Sequence, residues 1–473
     1  VRRISEARLA GLVRGWEKLP GRKAERLSSA IRDLLVAQEV PYGCILPSER
    51  SLAEFLGVSR TTVAEAYSLL RESGVLESRR GSGSRLRRPG PLVPALDATP
   101  DEDGRLDSYS ERALELLDFS SGALPGLPIV AREWAAVDAE VIARLTEQDG
   151  YLPAGMPELR EGIARIYEQQ GVPTSADEIL VTSGSQQALE ALSRAWIDPG
   201  ESIIVEDPSY RGALETFRNR EARILTIPME ADGPDVDALE RITRSHTPRF
   251  VYLLPTCHNP TGITTSAAKR DAIRRLSVDR GVVIVEDTSP ADLVLGVREP
   301  PPPLLRGSDP ALSIGIGSLS KLFWGGLRVG WIRGPRSVIA TFRRSKSSMD
   351  LGSSIVSQLL ATRLLSHVDE ARALRRAHLE EGLRTLEHEL AVHLPEWTWP
   401  APAGGSGLWV RAPGVEAVDL VERARQHGVS IVAGPTFSAV GGYRDHVRLP
   451  FFRVAEIPAA VARLEVAWRS MLE

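Results

Sequence analysis

Between Ala24 and Gln38 the apolar residues Leu27, Ile31, Leu34 and Leu35 fall on one face of a helix. A denser pattern begins at residue 46, in LPSERSLAEFLGVSRTTVAEAYSLLRESGVLESRRGSGSRLRR. Here Ser48 is placed to cap a helix whose inner face carries Leu52, Ala53 and Leu56, and Gly57 ends it. After a short turn Ser59 caps another helix, with Val63, Ala66, Tyr67 and Leu70 inward. The run after Gly74 predicts a two-stranded hairpin with a Gly-Ser-Gly tip. Residues 1–20 are weakly periodic, contain Trp16 and a Leu-Pro-Gly break, and read as a short helix or an extension.

From Asp118 helical stretches alternate with short continuous apolar runs: EILV ahead of Thr182, SIIVED at 202–207, FVYLL at 250–254 and VVIVED at 282–287. Such runs predict strands buried on both faces, in an α/β domain with a mainly parallel sheet flanked by helices. A segment near 340–390, rich in Arg, Glu and Leu at helical spacing, leads into a smaller C-terminal α/β part, where 401–413 predicts a strand entered through a flexible turn. Residues 89–117 hold the Pro-rich, acidic interval between the two patterned regions. The expected organisation is an extension (1–20), a helix-turn-helix head with a hairpin (21–88), a linker (89–117) and an α/β domain (118–473).

The 473 residues, 42% of them apolar, suffice for two or three domains with a large core. A net charge of −4 conceals a local contrast. Residues 21–90 hold twelve basic and eight acidic side chains, whereas 91–118 hold eight acidic side chains and two arginines. Positive charge is thus concentrated on the head. Arg60, Thr61 and Thr62 stand at the exposed N-terminus of the second helix of the pair, where a recognition helix reads base edges and phosphates. The hairpin carries five arginines and would track phosphates or enter a minor groove. A protein-docking module is the other reading of a helix pair with a basic hairpin. Cys44 and Cys257 lie far apart and make neither a disulfide framework nor a metal pair. With no apolar run of membrane-spanning length, the cytoplasm is the expected compartment and no membrane partner is expected. His388 and His393 are five apart, off the face a zinc motif requires, so no metal is expected.

The candidate chemistry centres on Lys321, in IGSLSKLFWGGLRVGW. A lysine in a Ser-x-Ser-Lys turn, with Arg328 following, suits an amine that condenses with an aldehyde while hydroxyls and a guanidinium hold a phosphate. The turn SGSQQAL (183–189) sits between a strand and a helix and would aim amide N–H groups at an anion. Tyr210, after SIIVEDPS, would cover a flat ring or pack in the core. Asn259-Pro260 turns the chain so that the Asn259 amide reaches beyond a strand, and Asp287 ends another strand, where its carboxylate would hold a protonated ring nitrogen. Asp287, Asn259, Ser318, Lys321 and Arg328 all fall at or beyond the carboxyl ends of expected strands, where open parallel sheets bind ligands.

The order GSQQAL, EDPSY, HNPTG, a strand ending in ED, SLSK and GLRVGW resembles the fold-type I, aspartate-aminotransferase-like family of pyridoxal-phosphate (PLP) enzymes over roughly residues 118–473. The resemblance implies that Lys321 forms the internal aldimine and Asp287 pairs the pyridinium nitrogen, a catalytic pair. It further implies that Asn259 bonds the 3-hydroxyl, that Tyr210 lies against the ring, and that Ser185, Gln186, Ser318 and Arg328 hold the phosphate. Tyr151, in GYLPAGMPELREGI, resembles the tyrosine that reaches the neighbouring subunit's phosphate, implying a homodimer. Arg448, in DHVRLPFF, resembles the arginine that clamps an amino acid's α-carboxylate. Where many members carry a tyrosine two residues after the aspartate, this chain has Ser289 followed by Pro290, which puts efficient transamination in question. The stretch LPSERSLAEFLGVSRTTVAEAY resembles the winged helix-turn-helix of the GntR regulators, and the fusion resembles their MocR subfamily, its EDTSPAD and SKLFWGGLRVGW variants looking closest to the YczR-like branch. That resemblance implies DNA contacts from Arg50, Arg60, Thr61 and Thr62, with wing residues Arg79, Arg80 and Ser82. The expectation is a PLP-dependent regulator that binds double-stranded operator DNA and senses PLP, an amine or an amino acid. The alternative is an active aminotransferase with an accessory DNA-binding domain.

Overall fold

The computed structural model of the protein describes residues 4–18, 21–36, 40, 44–72, 75–79, 83–86, 116–296 and 299–472, and divides the chain into two units, Val1–Pro100 and Asp101–Glu473. The first unit contains α1 (Glu6–Leu12), α2 (Lys23–Val36), α3 (Glu49–Leu56), α4 (Arg60–Glu72), β1 (Leu76–Arg79) and β2 (Gly83–Leu86). The Ser48 hydroxyl accepts the Ser51 N–H at 3.1 Å and the Ser59 hydroxyl accepts the Thr62 N–H at 3.1 Å. Each helix of the pair thus starts where a serine satisfies an amide left over from the helical ladder. Leu52, Ala53, Val63, Ala66, Tyr67 and Leu70 are buried against Leu27 and Ile31 of α2. The Tyr67 hydroxyl donates to the Pro47 carbonyl at 2.9 Å, tying α4 to the approach to α3. β1 and β2 pair antiparallel, from Leu76 opposite Leu86 to Arg79 opposite Gly83, and backbone bonds from Leu46 to Ser84 and from Leu86 to Cys44 attach the segment before α3 to this wing. α1 is capped by Ser5, and its Leu9, followed by Val13 and Trp16, enters the same core.

In the second unit the strands are β3 (Leu117–Asp118), β4 (Ile179–Thr182), β5 (Ser202–Asp207), β6 (Arg223–Glu230), β7 (Gly233–Pro234), β8 (Val251–Leu253), β9 (Ile284–Asp287), β10 (Ser313–Ser318), β11 (Gly330–Arg333), β12 (Gly407–Arg411), β13 (Val429–Ser430), β14 (Val432–Ala433) and β15 (His446–Pro450). Eight of them form one sheet in the order β4, β11, β10, β9, β8, β5, β6, β7. β10, β9, β8, β5 and β6 run parallel; β11 is antiparallel to both its neighbours, and β7 to β6. The continuous apolar runs arise because both faces are covered. Val205, Tyr252 and Val285 meet helices Ser185–Trp196 and Arg211–Asn219 on one face, while Ile204, Val251, Leu253 and Ile284 meet helices Val236–Ser245 and Ala267–Arg280 on the other.

The helix Val368–His393 carries the chain into a three-stranded antiparallel sheet, ordered β12, β15, β14, which packs with helices Ala417–Gln426 and Ile457–Arg469. β3 pairs parallel with β13, Leu117 opposite Val429, so the first described residues of this unit belong to its smaller part. His393 lies at the end of the long helix, where its Nδ1 meets the Glu465 carboxylate at 2.7 Å. Among the described residues no helix is long and apolar enough to cross a membrane.

Candidate functional site

The parallel strands end along one edge of the large sheet, and the turns that follow them converge. β9 delivers Asp287 and β10 delivers Ser318. Arg328 arrives differently from the sequence expectation: it precedes β11, at that strand's amino end, and reaches the same edge because β11 runs antiparallel. The pocket is lined by Gly122, Ser185, Tyr210, Arg211, His258, Asn259, Asp287, Ser289, Lys321, Phe437 and Arg448, among others.

The Lys321 amine donates to the Gly122 carbonyl at 2.7 Å. Burial, and then the Arg448 cation, push this amine down to about 8, against the pull of Asp287. Lys321 is therefore partly neutral, and nucleophilic, near physiological pH. Asp287 is buried; its Oδ2 accepts the Tyr252 hydroxyl at 2.8 Å and its Oδ1 accepts the Ser289 N–H at 2.9 Å. Burial pushes its carboxyl up, while the donors from Ser289 and Tyr252 and the Lys321 cation hold it down.

At the opposite end, Gly184 precedes the helix Ser185–Trp196 at a positive φ of 110°, and no side chain caps that helix. A Cβ on Gly184 would stand 3.2 Å from the Arg328 guanidinium, so glycine is what lets the arginine lie over the helix start. The N–H groups of Ser185 and Gln186 and the helix dipole face the same place. The Gln186 side chain is turned elsewhere: its Oε1 accepts the Tyr210 hydroxyl at 3.1 Å, and its amide donates to Thr216 at 2.8 Å and to Gly212 at 3.1 Å. It fixes the Tyr210 ring, leaving its backbone for an anion. The Ser318 hydroxyl is shared between Ser320 Oγ at 2.9 Å and the Val329 carbonyl at 3.2 Å.

Arg448, on β15, donates to the Ser120 carbonyl at 2.9 Å, approaches Asn259 Oδ1 at 3.5 Å and lies over the Phe437 ring at 5.5 Å. Asn259 precedes a cis proline in the turn beyond β8. Tyr151 does not line this pocket and is 62% exposed. On the first unit Arg50, Arg60 and Thr61 are exposed and Thr62 is half-buried, all at the starts of α3 and α4. Arg79 ends β1, and Arg80 and Ser82 lie outside the described residues.

The donor set is an anion cradle at one end, a buried carboxylate at the other and a depressed amine between them. It fits a flat, phosphorylated ring aldehyde with a basic nitrogen, which is pyridoxal phosphate. Three contributors escaped the sequence reading. Gly122 and Ser120 come from a segment that carries no motif. Tyr252 lies in the FVYLL run, where alternation puts it on the face of Val285 and Asp287.

The fold and site define an aminotransferase-type α/β unit joined to a winged helix-turn-helix. The family description "Aminotransferase class I and II" matches residues 115–464, and "Bacterial regulatory proteins, gntR family" matches residues 23–86. The chain belongs to the class I and II aminotransferase family, in the GntR-headed, MocR-type group of helix-turn-helix regulators. It is 29% identical to the HTH-type transcriptional regulator YdfD of Bacillus subtilis over 92% of this chain and 93% of that protein. It is 28% identical to the probable rhizopine catabolism regulatory protein MocR of Rhizobium meliloti over 79% of this chain and 78% of that protein. Among solved structures, the α-aminoadipate aminotransferase LysN of Thermus thermophilus, complexed with N-(5'-phosphopyridoxyl)-L-leucine, is 31% identical, with a TM-score of 0.70 over 78% of this chain and 96% of that one.

Proposed function

We propose that the protein is a PLP-dependent transcriptional regulator that binds operator DNA as a homodimer and senses PLP or an amino compound at Lys321. The observation that carries this reading is the Lys321 amine, held at 2.7 Å by the Gly122 carbonyl and depressed to about 8, in a chain that also bears a GntR helix-turn-helix.

PLP supplies an aldehyde that condenses with amines and a ring that withdraws electrons. Lys321 would be its attachment point, and its amine, lowered to about 8, can hold or give up a proton there. Asp287 holds the positive ring nitrogen, Asn259 bonds the ring oxygen and Tyr210 covers the ring. The amides of Ser185 and Gln186, with Ser318 and Arg328, hold the phosphate, and Tyr151 completes the cradle from a second subunit. Arg448 offers a two-pronged donor to an effector carboxylate. On the head, Arg50, Arg60, Thr61, Thr62 and the wing residues Arg79, Arg80 and Ser82 face DNA. An effector that binds one arrangement of the dimer better than another shifts the spacing of the two heads, and with it operator affinity.

The test is a visible spectrum of the purified chain with PLP. A band near roughly 420 nm, abolished by borohydride and absent from Lys321→Ala, supports attachment. Operator affinity at fixed salt, measured with PLP, without it, and with an L-amino acid or its decarboxylated amine, then tests sensing. Equal affinity in all arms overturns it. An active aminotransferase is the second reading, favoured by the intact Lys321, Asp287 and Arg448 set; rapid release of a keto acid would decide for it. A Lys321→Ala variant that regulates normally would reduce the large unit to a dimerisation scaffold.

A further inference from the structure

Tyr252 is the middle residue of β8 and pairs with Val285 of β9; Asp287 stands two residues further along β9, on the same face. A side chain crossing that diagonal must span farther than a directly opposed pair, and a phenol has the length. The ring is fully buried and is held edge-on by Phe217, with centroids 5.6 Å apart. Its hydroxyl has one acceptor in the described structure, Asp287 Oδ2 at 2.8 Å, while Ser289 N–H takes Oδ1 at 2.9 Å. The two carboxylate oxygens are thus approached by donors from different elements, Tyr252 on β8 and Ser289 beyond β9, which fixes the plane of the group.

We propose that Tyr252 is a positioning residue for Asp287, keeping its buried carboxylate ionised and aimed at the cofactor's ring nitrogen. This rests on the PLP reading above. A carboxylate taken out of water holds its charge only through donors and nearby cations. The Tyr252 hydroxyl is such a donor, supplied from a fully buried ring that packs against Phe217. Without it Asp287 takes up a proton more readily, and a neutral acid pairs weakly with a protonated ring nitrogen. The other ionisable groups acting on the pair are Lys321, which favours the ionised form of Asp287, and Tyr210 and Glu206, whose charges bear on Tyr252. The chain has no tyrosine just after Asp287, so Tyr252 is the phenol that the described structure places on this carboxylate.

The experiment titrates the visible spectrum of the full-length chain with PLP against pH, and measures the PLP dissociation constant, in wild type, Tyr252→Phe, Asp287→Asn and the double variant. Loss of one hydrogen bond to a charged acceptor weakens PLP about tenfold to a hundredfold in Tyr252→Phe and moves the chromophore's titration. In the Asp287→Asn background the same substitution has no further effect, because the hydroxyl acts through that carboxylate. Melting of the PLP-free chain separates this from a folding defect. Phe217→Leu keeps the hydroxyl but loosens the ring, and shifts the titration in the same direction by less. Superposable titrations and PLP affinities within about twofold overturn the proposal, as does an effect undiminished in Asp287→Asn. A wild-type chain that shows no PLP band overturns the PLP reading with it; a wild-type band indifferent to Tyr252→Phe overturns the Tyr252 role alone.

Discussion

Arg375 lies on the long helix Val368–His393, 2% exposed, and its guanidinium donates to the carbonyls of Leu322 at 2.7 Å, Phe323 at 2.7 Å and Pro125 at 2.6 Å. It thus ties the loop after Lys321 and the segment after Gly122 to the helix that enters the smaller part of the unit. Arg375→Ala removes three charge-assisted bonds at about 2 kcal/mol each, or about 6 kcal/mol. Burial pushes this guanidinium down to about 10, which at about 1.4 kcal/mol per pH unit is roughly 3 kcal/mol of desolvation that the substitution relieves. The net loss is about 3 kcal/mol. A unit of roughly 370 residues unfolds with an entropy of about 0.8 kcal/mol/K, so its melting temperature falls by about 4 °C. Calorimetry of the full-length chain measures this, with Arg375→Lys, which keeps the charge but not the fork, falling by less. A melting temperature for Arg375→Ala within about 1 °C of wild type would refute the reasoning, because the cost of burying the cation would then cancel the carbonyl bonds. The Arg375 charge also helps to lower the Lys321 amine, so the same variant raises the pH at which Lys321 loses its proton.

In the wild type only the neutral Lys321 amine condenses with an aldehyde, so the rate of PLP capture, followed by stopped-flow absorbance, rises with pH through about 8 and flattens above it; a flat profile contradicts the depressed amine. Tyr67→Phe deletes the bond to the Pro47 carbonyl and destabilises the DNA-binding unit by about 1 kcal/mol, read as a lower denaturant midpoint for that unit with the aminotransferase-type unit unchanged. Gly382→Ala would drive a Cβ into the Phe451 carbonyl oxygen, so the helix Val368–His393 cannot keep its packing; the variant melts well below wild type or fails to accumulate as soluble protein.

Much of the molecule is determined by local chemistry that a reader of the sequence can follow. Ser48 and Ser59 cap helices because a side-chain oxygen three residues before an orphan amide does so wherever it occurs, and the inward positions of α4 follow from a helical period. The strands announce themselves because a sheet covered on both faces needs continuous apolar runs, and Asp287 and Ser318 stand out because they end such runs. The tertiary structure alone decided what comes from far along the chain. Only strand order shows that β11 runs backwards and so delivers Arg328 by its amino end, and only the folded chain brings the Gly122 carbonyl to the Lys321 amine, 199 positions further on. The packing of Leu9, Val13 and Trp16 into the winged unit likewise depends on partners dozens of residues away. Caps and periods act over three or four residues, where covalent geometry fixes the spacing. The Tyr252 hydroxyl meets Asp287 across 35 positions of chain, and that distance is closed by the register of two strands.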